Sequence, residues 1–143
     1  MGVKQGEPLS PLLFLFFIND MQQHLDSDDV DSVTIDEIRI FMLLFADDTV
    51  LFSYTANGLQ ILLNNLYSYC TTWGISVNTE KTCVMVCKKG NRLENVELYY
   101  DAKTLNVVDK FTYLGVTLSR NGTFLQAQKH LSQTSFKGTF FSF

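Results

Sequence analysis

Apolar and polar residues follow two different periods along the chain, and each period predicts a different kind of element. In "NGLQILLNNLYSYCTTWG", large apolar residues recur every three or four positions, which predicts an amphipathic helix ending at Gly74. The segment "LSPLLFLFFINDMQQHL" has Ser10 as a candidate N-cap and Pro11 at the first helical position. It is apolar on nearly every side, so we expect a buried helix that runs to about Leu25.

Short runs rich in β-branched and aromatic residues predict strands. Two of them, at about 38–46 and 49–54, are expected to join at the adjacent Asp47 and Asp48, and a short hairpin is expected around Asp36–Glu37. Further on, "ISVNTEKTCVMVCKK" predicts strand, turn and strand, while "VELYY", "LNVVD" and "FTYLGVTLS" predict more short strands. Helices alternating with antiparallel strands indicate an α+β fold whose sheet carries its helices on one face.

The last part of the chain has a weaker pattern. "TFLQAQKHLSQTSF" is polar and weakly helical, and the final "KGTFFSF" has no evident core to join. We therefore expect the chain to be truncated in this region.

The acidic segment "DSDDVDSVTIDE" lacks the glycine and ligand spacing of a calcium loop, and we interpret it as a solvated loop.

Composition and charge narrow the class of protein. With 143 residues, 46% of them apolar and 18% charged, the chain is long and apolar enough for one domain with a sizeable core. The net charge of −4 is unevenly distributed, since residues 1–78 carry ten acidic and two basic side chains and residues 79–143 carry five and nine. An acidic half suits metal ions and a basic half suits phosphates, although two ordinary solvated surfaces explain the charges equally well.

The cysteines and apolar runs exclude some classes of protein. Cys70, Cys83 and Cys87 form no disulfide framework and suit a reducing compartment. Cys83 and Cys87 would lie roughly 13 Å apart along one strand, which is too far to share a metal ion. The longest purely apolar run, Leu12–Ile18, is too short to cross a membrane, so we expect an intracellular protein in the nucleus or cytoplasm.

The adjacent carboxylates in "LLFADDTVLFS" are the main candidate for chemistry. Asp47 and Asp48 have apolar neighbours and no nearby Lys or Arg in sequence, so their mutual repulsion is uncompensated. Aspartate is a common turn residue that hydrogen-bonds to its own backbone, which is one explanation. A divalent cation would make the same pair favourable, which is the other.

Four motifs in order resemble the palm of a reverse transcriptase of the non-LTR (LINE-type) retrotransposon kind, from Gly2 to about Leu118. They are "QGEPLSPLLF", "FADD", "WGISVNTEKT" and "FTYLGVTL". The resemblance implies a palm-like antiparallel sheet with helices on one face, incomplete at both ends. It makes residues 1–118 a partial palm and residues 119–143 the truncated start of a thumb or connection.

The same resemblance assigns roles to residues. Asp47 and Asp48 would bind Mg²⁺, or alternatively Mn²⁺, for two-metal transfer of deoxynucleotides to a primer 3′-hydroxyl. Lys81 would protonate the departing pyrophosphate, although an ordinary turn lysine remains an alternative. The residues expected at the nucleotide pocket are Gln5, Gly6, Phe45 and Ala46. Those expected to support the primer are Tyr113, Leu114 and Gly115. Packing in the sheet or core is the alternative for Phe45, Tyr113 and Leu114.

One departure from the family pattern bears on activity. The family carries a further metal-binding Asp on a strand before the "QG" motif, together with template-holding fingers, and this chain begins at Met1. We therefore expect a polymerase fragment that is inactive alone, whose partners are an RNA template, a DNA primer and deoxynucleoside triphosphates. The alternatives are another kind of retroelement reverse transcriptase, a non-catalytic remnant that keeps the palm fold as a binding or structural module, and an unrelated α+β domain.

Overall fold

The computed structural model describes residues 19–87, 96–120 and 136–142, the last range by its backbone alone. The start of the predicted first helix and most of the weakly helical tail lie outside these residues. The elements in the described ranges, in chain order, are α1 (Met21–Leu25), β1 (Val33–Ile35), β2 (Ile38–Ile40), β3 (Met42–Phe45), β4 (Asp48–Ser53), α2 (Ala56–Trp73), β5 (Cys83–Cys87), β6 (Tyr99–Tyr100), β7 (Lys103–Thr104), β8 (Asn106–Val107), β9 (Lys110–Tyr113), β10 (Val116–Ser119) and β11 (Phe136–Ser142).

A five-stranded sheet organises the chain, in the order β3-β4-β11-β5-β8. Neighbouring strands are antiparallel except at one edge, where β8 runs parallel to β5. The expectation of an antiparallel sheet is therefore corrected at that edge. The chain between β5 and β8 includes the β6–β7 hairpin, and a connection of this length allows the chain to return in the parallel direction.

Helix α2 forms as its periodicity predicts. Its N-cap is Thr55, whose side chain accepts a hydrogen bond from the backbone N–H of Gly58 at 3.0 Å. Its apolar face is fully buried, including Leu59, Leu62 and Leu66. Gly74 ends the helix with a φ of +67°, a backbone conformation that glycine adopts without strain.

Different elements pack on the two faces of the sheet. On one face, Leu51 and Val84 join the apolar side of α2 in the larger core cluster. On the other face, Val50 and Met85 form a smaller cluster, against which the β9–β10 hairpin packs with side chains that include Phe111. In the described part of the chain, the sheet thus has a helix on one side and a hairpin on the other.

Several local predictions are refined. The strand expected at 38–46 is two strands, because the chain changes partner at the buried Phe41: β2 pairs with β1, and β3 pairs with β4. The hairpin turn at Asp36–Glu37 is confirmed, with positive φ at both residues. Residues 75–77 are not a strand as predicted, because Ile75 and Val77 pack against the core without a strand to pair with.

The largest correction concerns the end of the described chain. The sequence suggested that "KGTFFSF" has no core to join, yet Phe136–Ser142 form the central strand β11 between β4 and β5. The local pattern does not reveal this, because the residues that pair with β11 lie about fifty to ninety positions earlier in the chain.

Separately, no helix among the described residues is both long and apolar enough to cross a membrane.

Candidate metal-binding turn

Asp47 and Asp48 lie at a tight turn between β3 and β4. Phe45 pairs with Asp48, so Ala46 and Asp47 are the two central residues of the turn. The tight turn is as predicted, although Asp48 is already the first residue of β4. Ala46 has a φ of +51°, a left-handed conformation that costs a side-chain-bearing residue roughly 1–2 kcal/mol. The sheet therefore holds the turn in a shape that alanine does not favour.

The two carboxylates have different surroundings. Asp47 is exposed, whereas Asp48 is half-buried. Because side chains alternate along a strand, Asp48 lies on the same face as Val50, the face that the β9–β10 hairpin covers. Among the described residues, neither carboxylate forms an ion pair with a Lys or Arg side chain. An uncompensated pair of this kind favours a cation.

Tyr113 of the hairpin lies within electrostatic reach of this site. It is half-buried and packs against the smaller cluster that contains Val50. Burial raises the pKa of Tyr113, and the nearby charge of Asp48 raises this pKa further. The packing alternative considered for Tyr113 therefore holds, and this packing also brings the tyrosine close to Asp48.

The other proposed primer-side residues lie at the tip of the same hairpin. Leu114 and Gly115 are its two central residues, with φ values of +48° and +78°. The side chain of Leu114 is 52% exposed, so the core-packing alternative for this residue is wrong. A positive φ at both central residues is the geometry of the commonest two-residue hairpin turn, which favours Asn-Gly over Leu-Gly.

Phe45 faces solvent beside the acidic turn. As the residue directly opposite Asp48 in the register, it shares the face of that carboxylate, yet its side chain is 58% exposed. Leu43, two residues earlier on the same face, is 45% exposed. The packing alternative for Phe45 is therefore not supported, and an exposed apolar edge adjoins the carboxylates.

Lys81 is at the same end of the sheet as the carboxylates. It lies in a turn in which the side chain of Asn78 accepts a hydrogen bond from the Lys81 backbone N–H at 3.2 Å, and its own side chain is exposed. Val50 and Cys83 both pair with Phe140 of β11, so β4 and β5 start at the same end of the sheet. Two strand spacings separate these starts, about 10 Å. The alternative of a solvated turn lysine is compatible with this position.

The acidic turn offers ligand atoms of a type that suits a divalent metal ion, but only two side chains supply them. The carboxylate oxygens of Asp47 and Asp48 are hard ligands that suit Mg²⁺ or Mn²⁺. Within residues 19–87 and 96–120, no three His, Cys, Asp or Glu side chains cluster around one point. The pair thus fits the chemistry of the ion while supplying only part of a ligand set. Gln5 and Gly6 lie outside the described residues.

The register reveals one neighbour that the sequence gave no reason to expect. Ser142, near the end of β11, pairs directly with Asp48. No motif or spacing in the sequence connects residue 142 with the acidic turn. Only the strand order brings the two together.

Comparison with known proteins identifies the family. The reverse transcriptase (RNA-dependent DNA polymerase) family model matches residues 1–118. A Pol polyprotein from the type-2 retrotransposable element R2DM of Drosophila melanogaster is 32% identical over 130 residues, covering 85% of this chain and 12% of that protein. A Pol polyprotein from a type-1 element R2 of Popillia japonica is 29% identical, covering 85% and 21%.

A third relative is a probable RNA-directed DNA polymerase from transposon BS of Drosophila melanogaster, 29% identical over 86% of this chain and 14% of its own length. The chain therefore spans between 12% and 21% of the length of these relatives. No solved structure matches it significantly. The family match covers well over half of the chain and includes the acidic turn and the β9–β10 hairpin, so this chain belongs to the reverse transcriptase family.

Proposed function

We propose that this chain is part of the palm of an RNA-directed DNA polymerase of a non-LTR retrotransposon. In the longer protein, this palm would extend a DNA primer with deoxynucleotides along an RNA template. The observation that carries the proposal is the acidic turn. It holds two adjacent carboxylates that have no basic partner among the described residues, and it lies at one end of the sheet. The turn also lies within residues 1–118, which match the reverse transcriptase family model. In this proposal, residues 1–118 form the palm, and 119–143 lead on to a thumb or connection, with β11 pairing back into the palm sheet.

Asp47 and Asp48 are the proposed metal ligands. Asp48 is fixed by the pairing of β4 with β3, and Asp47 is fixed by the turn, so both carboxylates are held on rigid backbone. A bound Mg²⁺, or Mn²⁺ in its place, supplies the positive charge that activates a primer 3′-hydroxyl and neutralises a triphosphate. The chain's own contribution is to position its oxygens for this ion.

The remaining assignments describe how substrates would lie around this turn. Lys81, at the same end of the sheet, is the proposed proton donor to the pyrophosphate leaving group. Phe45 and Ala46 are proposed to border the nucleotide, together with Gln5 and Gly6. The exposed tip of the β9–β10 hairpin, formed by Leu114 and Gly115, is proposed to support the primer backbone, with Tyr113 at its base.

Metal binding by the chain tests the proposed ligands directly. Paramagnetic relaxation of water protons by Mn²⁺ should show weak binding that Asp47→Asn or Asp48→Asn abolishes. Asp101→Asn is a matched control, because Asp101 is also an exposed turn aspartate, with a φ of +50°. Binding that is unchanged in Asp47→Asn, or lost equally in the Asp101→Asn control, would contradict the assignment.

Primer extension tests the proposed activity in the longer protein. Asp47→Asn should lower the rate of extension on an RNA template by at least about 10²-fold, the usual cost of losing one electrostatic contact in an active site. The Asp101→Asn control should retain its rate. The isolated chain should give only background extension. If it does not extend primers and also binds no Mn²⁺, the alternative of a non-catalytic binding or structural module is favoured.

A further inference from the structure

The turn that carries Lys81 is anchored in the core at both of its ends. Before the turn, Val77 packs against the larger core cluster. After it, Thr82 is buried, and its hydroxyl donates a hydrogen bond to the backbone carbonyl of Asn78 at 2.8 Å. The backbone N–H groups of Lys81 and Thr82 donate to the same carbonyl at 3.2 and 3.1 Å. The backbone on either side of Lys81 is therefore held in place.

The side chain of Asn78 determines the shape of this turn at Lys81. Its Oδ1 atom accepts hydrogen bonds from the backbone N–H groups of Glu80 and Lys81, both at 3.2 Å. Asparagine commonly closes a turn in this way. Because Asn78 is exposed, water can satisfy the same two N–H groups when the side chain is shortened. We therefore expect its removal to change the local position of Lys81 more than the stability of the whole chain.

The register of the sheet places this turn level with the acidic turn. Val50 and Cys83 both pair with Phe140, so they lie at the same height along the sheet. Asp48 is two residues before Val50, and Lys81 is two residues before Cys83. The two strands are about 10 Å apart, since one further strand separates them. A displacement of the Lys81 backbone therefore changes the distance between its ammonium group and a ligand held by the carboxylates.

We propose that Asn78 is a positioning residue, whose side-chain oxygen holds Lys81 where its ammonium group reaches the pyrophosphate leaving group. This inference rests on the proposed role of Lys81 as proton donor. In that step the primer 3′-oxygen loses its proton to water and bonds to the α-phosphorus of the deoxynucleotide, while the bond from this phosphorus to the bridging oxygen breaks. The Lys81 ammonium gives one proton to the leaving pyrophosphate and later regains one from water. Asn78 contacts no substrate and acts only through Lys81.

Primer extension by the longer protein tests this role through a double-variant cycle. Lys81→Ala should lower kcat by about 10²-fold or more, the usual contribution of a general acid. Asn78→Ala should lower kcat by about 10-fold or more at an unchanged KM for the deoxynucleotide, because a misplaced catalytic group slows the chemical step. The double variant should be no slower than Lys81→Ala alone, because Asn78 has no effect once the lysine is absent.

Two further variants complete the comparison. Asn78→Asp keeps an oxygen that accepts from the same two N–H groups, so it should recover most of the rate that Asn78→Ala loses. Asn106→Ala is the matched control, because Asn106 is an exposed asparagine that pairs with Cys83 at the same end of the sheet. This control should extend primers at the unsubstituted rate.

The outcomes separate this inference from the function on which it rests. If Lys81→Ala extends primers at the full rate, both the proton-donor assignment and the positioning role fail. If Lys81→Ala is slow but Asn78→Ala is not, the positioning role alone fails. A double variant slowed by the product of the two single effects shows that Asn78 acts independently of Lys81, which also overturns the inference. The same holds if Asn78→Asp recovers none of the rate.

Amide hydrogen exchange in the chain itself tests the geometry without any activity. The backbone N–H groups of Glu80 and Lys81 should exchange faster in Asn78→Ala than in the unsubstituted chain or in Asn78→Asp. Circular dichroism should show that all three chains are folded. Equal exchange rates in the three chains would contradict the proposed hydrogen bonds. If Asn78→Ala does not fold, the side chain is a structural element and the positioning role is wrong.

Discussion

Substituting Gly58 by alanine tests how the end of β4 is joined to the start of α2. A Cβ atom at Gly58 would lie 2.4 Å from the Ser53 hydroxyl oxygen and 2.9 Å from the Asp31 Cβ. The Ser53 hydroxyl cannot move freely, because it donates to the Asp31 carbonyl at 2.9 Å and accepts from the Thr55 N–H at 3.2 Å. Accommodating the methyl group therefore means breaking these bonds or shifting the backbone.

The expected change in the free energy of unfolding of Gly58→Ala is the balance of one stabilising effect and two destabilising effects. Alanine gains about 1 kcal/mol over glycine inside a helix. Overpacking a closed site costs about 1–3 kcal/mol, and losing the two Ser53 hydrogen bonds costs about 1 kcal/mol each. The losses outweigh the gain, so Gly58→Ala should lower the free energy of unfolding by roughly 2–4 kcal/mol.

Urea unfolding followed by circular dichroism measures this change. Asn57→Ala is the matched control, since Asn57 is exposed in the same helical turn, and it should leave the midpoint nearly unchanged. In the double variant Ser53→Ala with Gly58→Ala, removal of the hydroxyl relieves the contact, so the two effects should be less than additive. A Gly58→Ala protein as stable as the unsubstituted chain would refute the reasoning about this junction.

Three further predictions concern the turns and the cysteines. Leu114→Asn should raise the free energy of unfolding by about 1 kcal/mol in urea, because asparagine tolerates the positive φ that leucine disfavours; a loss of stability would contradict this. Ser142→Asp should strengthen Mn²⁺ binding in the relaxation assay, because the register sets a third carboxylate opposite Asp48; unchanged binding would show that the register is wrong. Burial raises the pKa of the Cys83 and Cys87 thiols to about 11, so the stability that they contribute is complete below pH 9 and is lost as the pH rises through 11. Urea midpoints should fall across this window, and less so when both cysteines are replaced by alanine.

The elements that the sequence predicted well are those that depend on local patterns. Helix α2 follows from its apolar period and from Gly74, and the turn at Asp47 follows from polar residues between two apolar runs. The predicted bounds of the strands are less exact, because a strand ends where its pairing with the neighbouring strand ends. The change of pairing partner at Phe41 divides one predicted strand into two.

Strand order depends on distant pairing, and local patterns do not encode it. Nothing in "KGTFFSF" indicates a central strand, and the place of Lys81 relative to Asp48 becomes evident only from the register through Phe140. The same applies to Tyr113, whose proximity to Asp48 arises from a hairpin that folds over the sheet. The residues of the candidate site could thus be proposed one by one from the sequence, whereas their spatial arrangement could not.

The position of β11 has a consequence for how the chain folds during its synthesis. Residues 48–53 pair with residues 142–137, so these partners are separated by 84 to 94 positions in the sequence. As the ribosome elongates the chain, β4 and β5 emerge well before the strand that joins them, and no other strand among the described residues pairs with the two edges that β11 joins. Contacts between such distant residues slow folding, and exposed strand edges favour aggregation. Newly made chains should therefore depend on chaperones until residue 142 has left the exit tunnel.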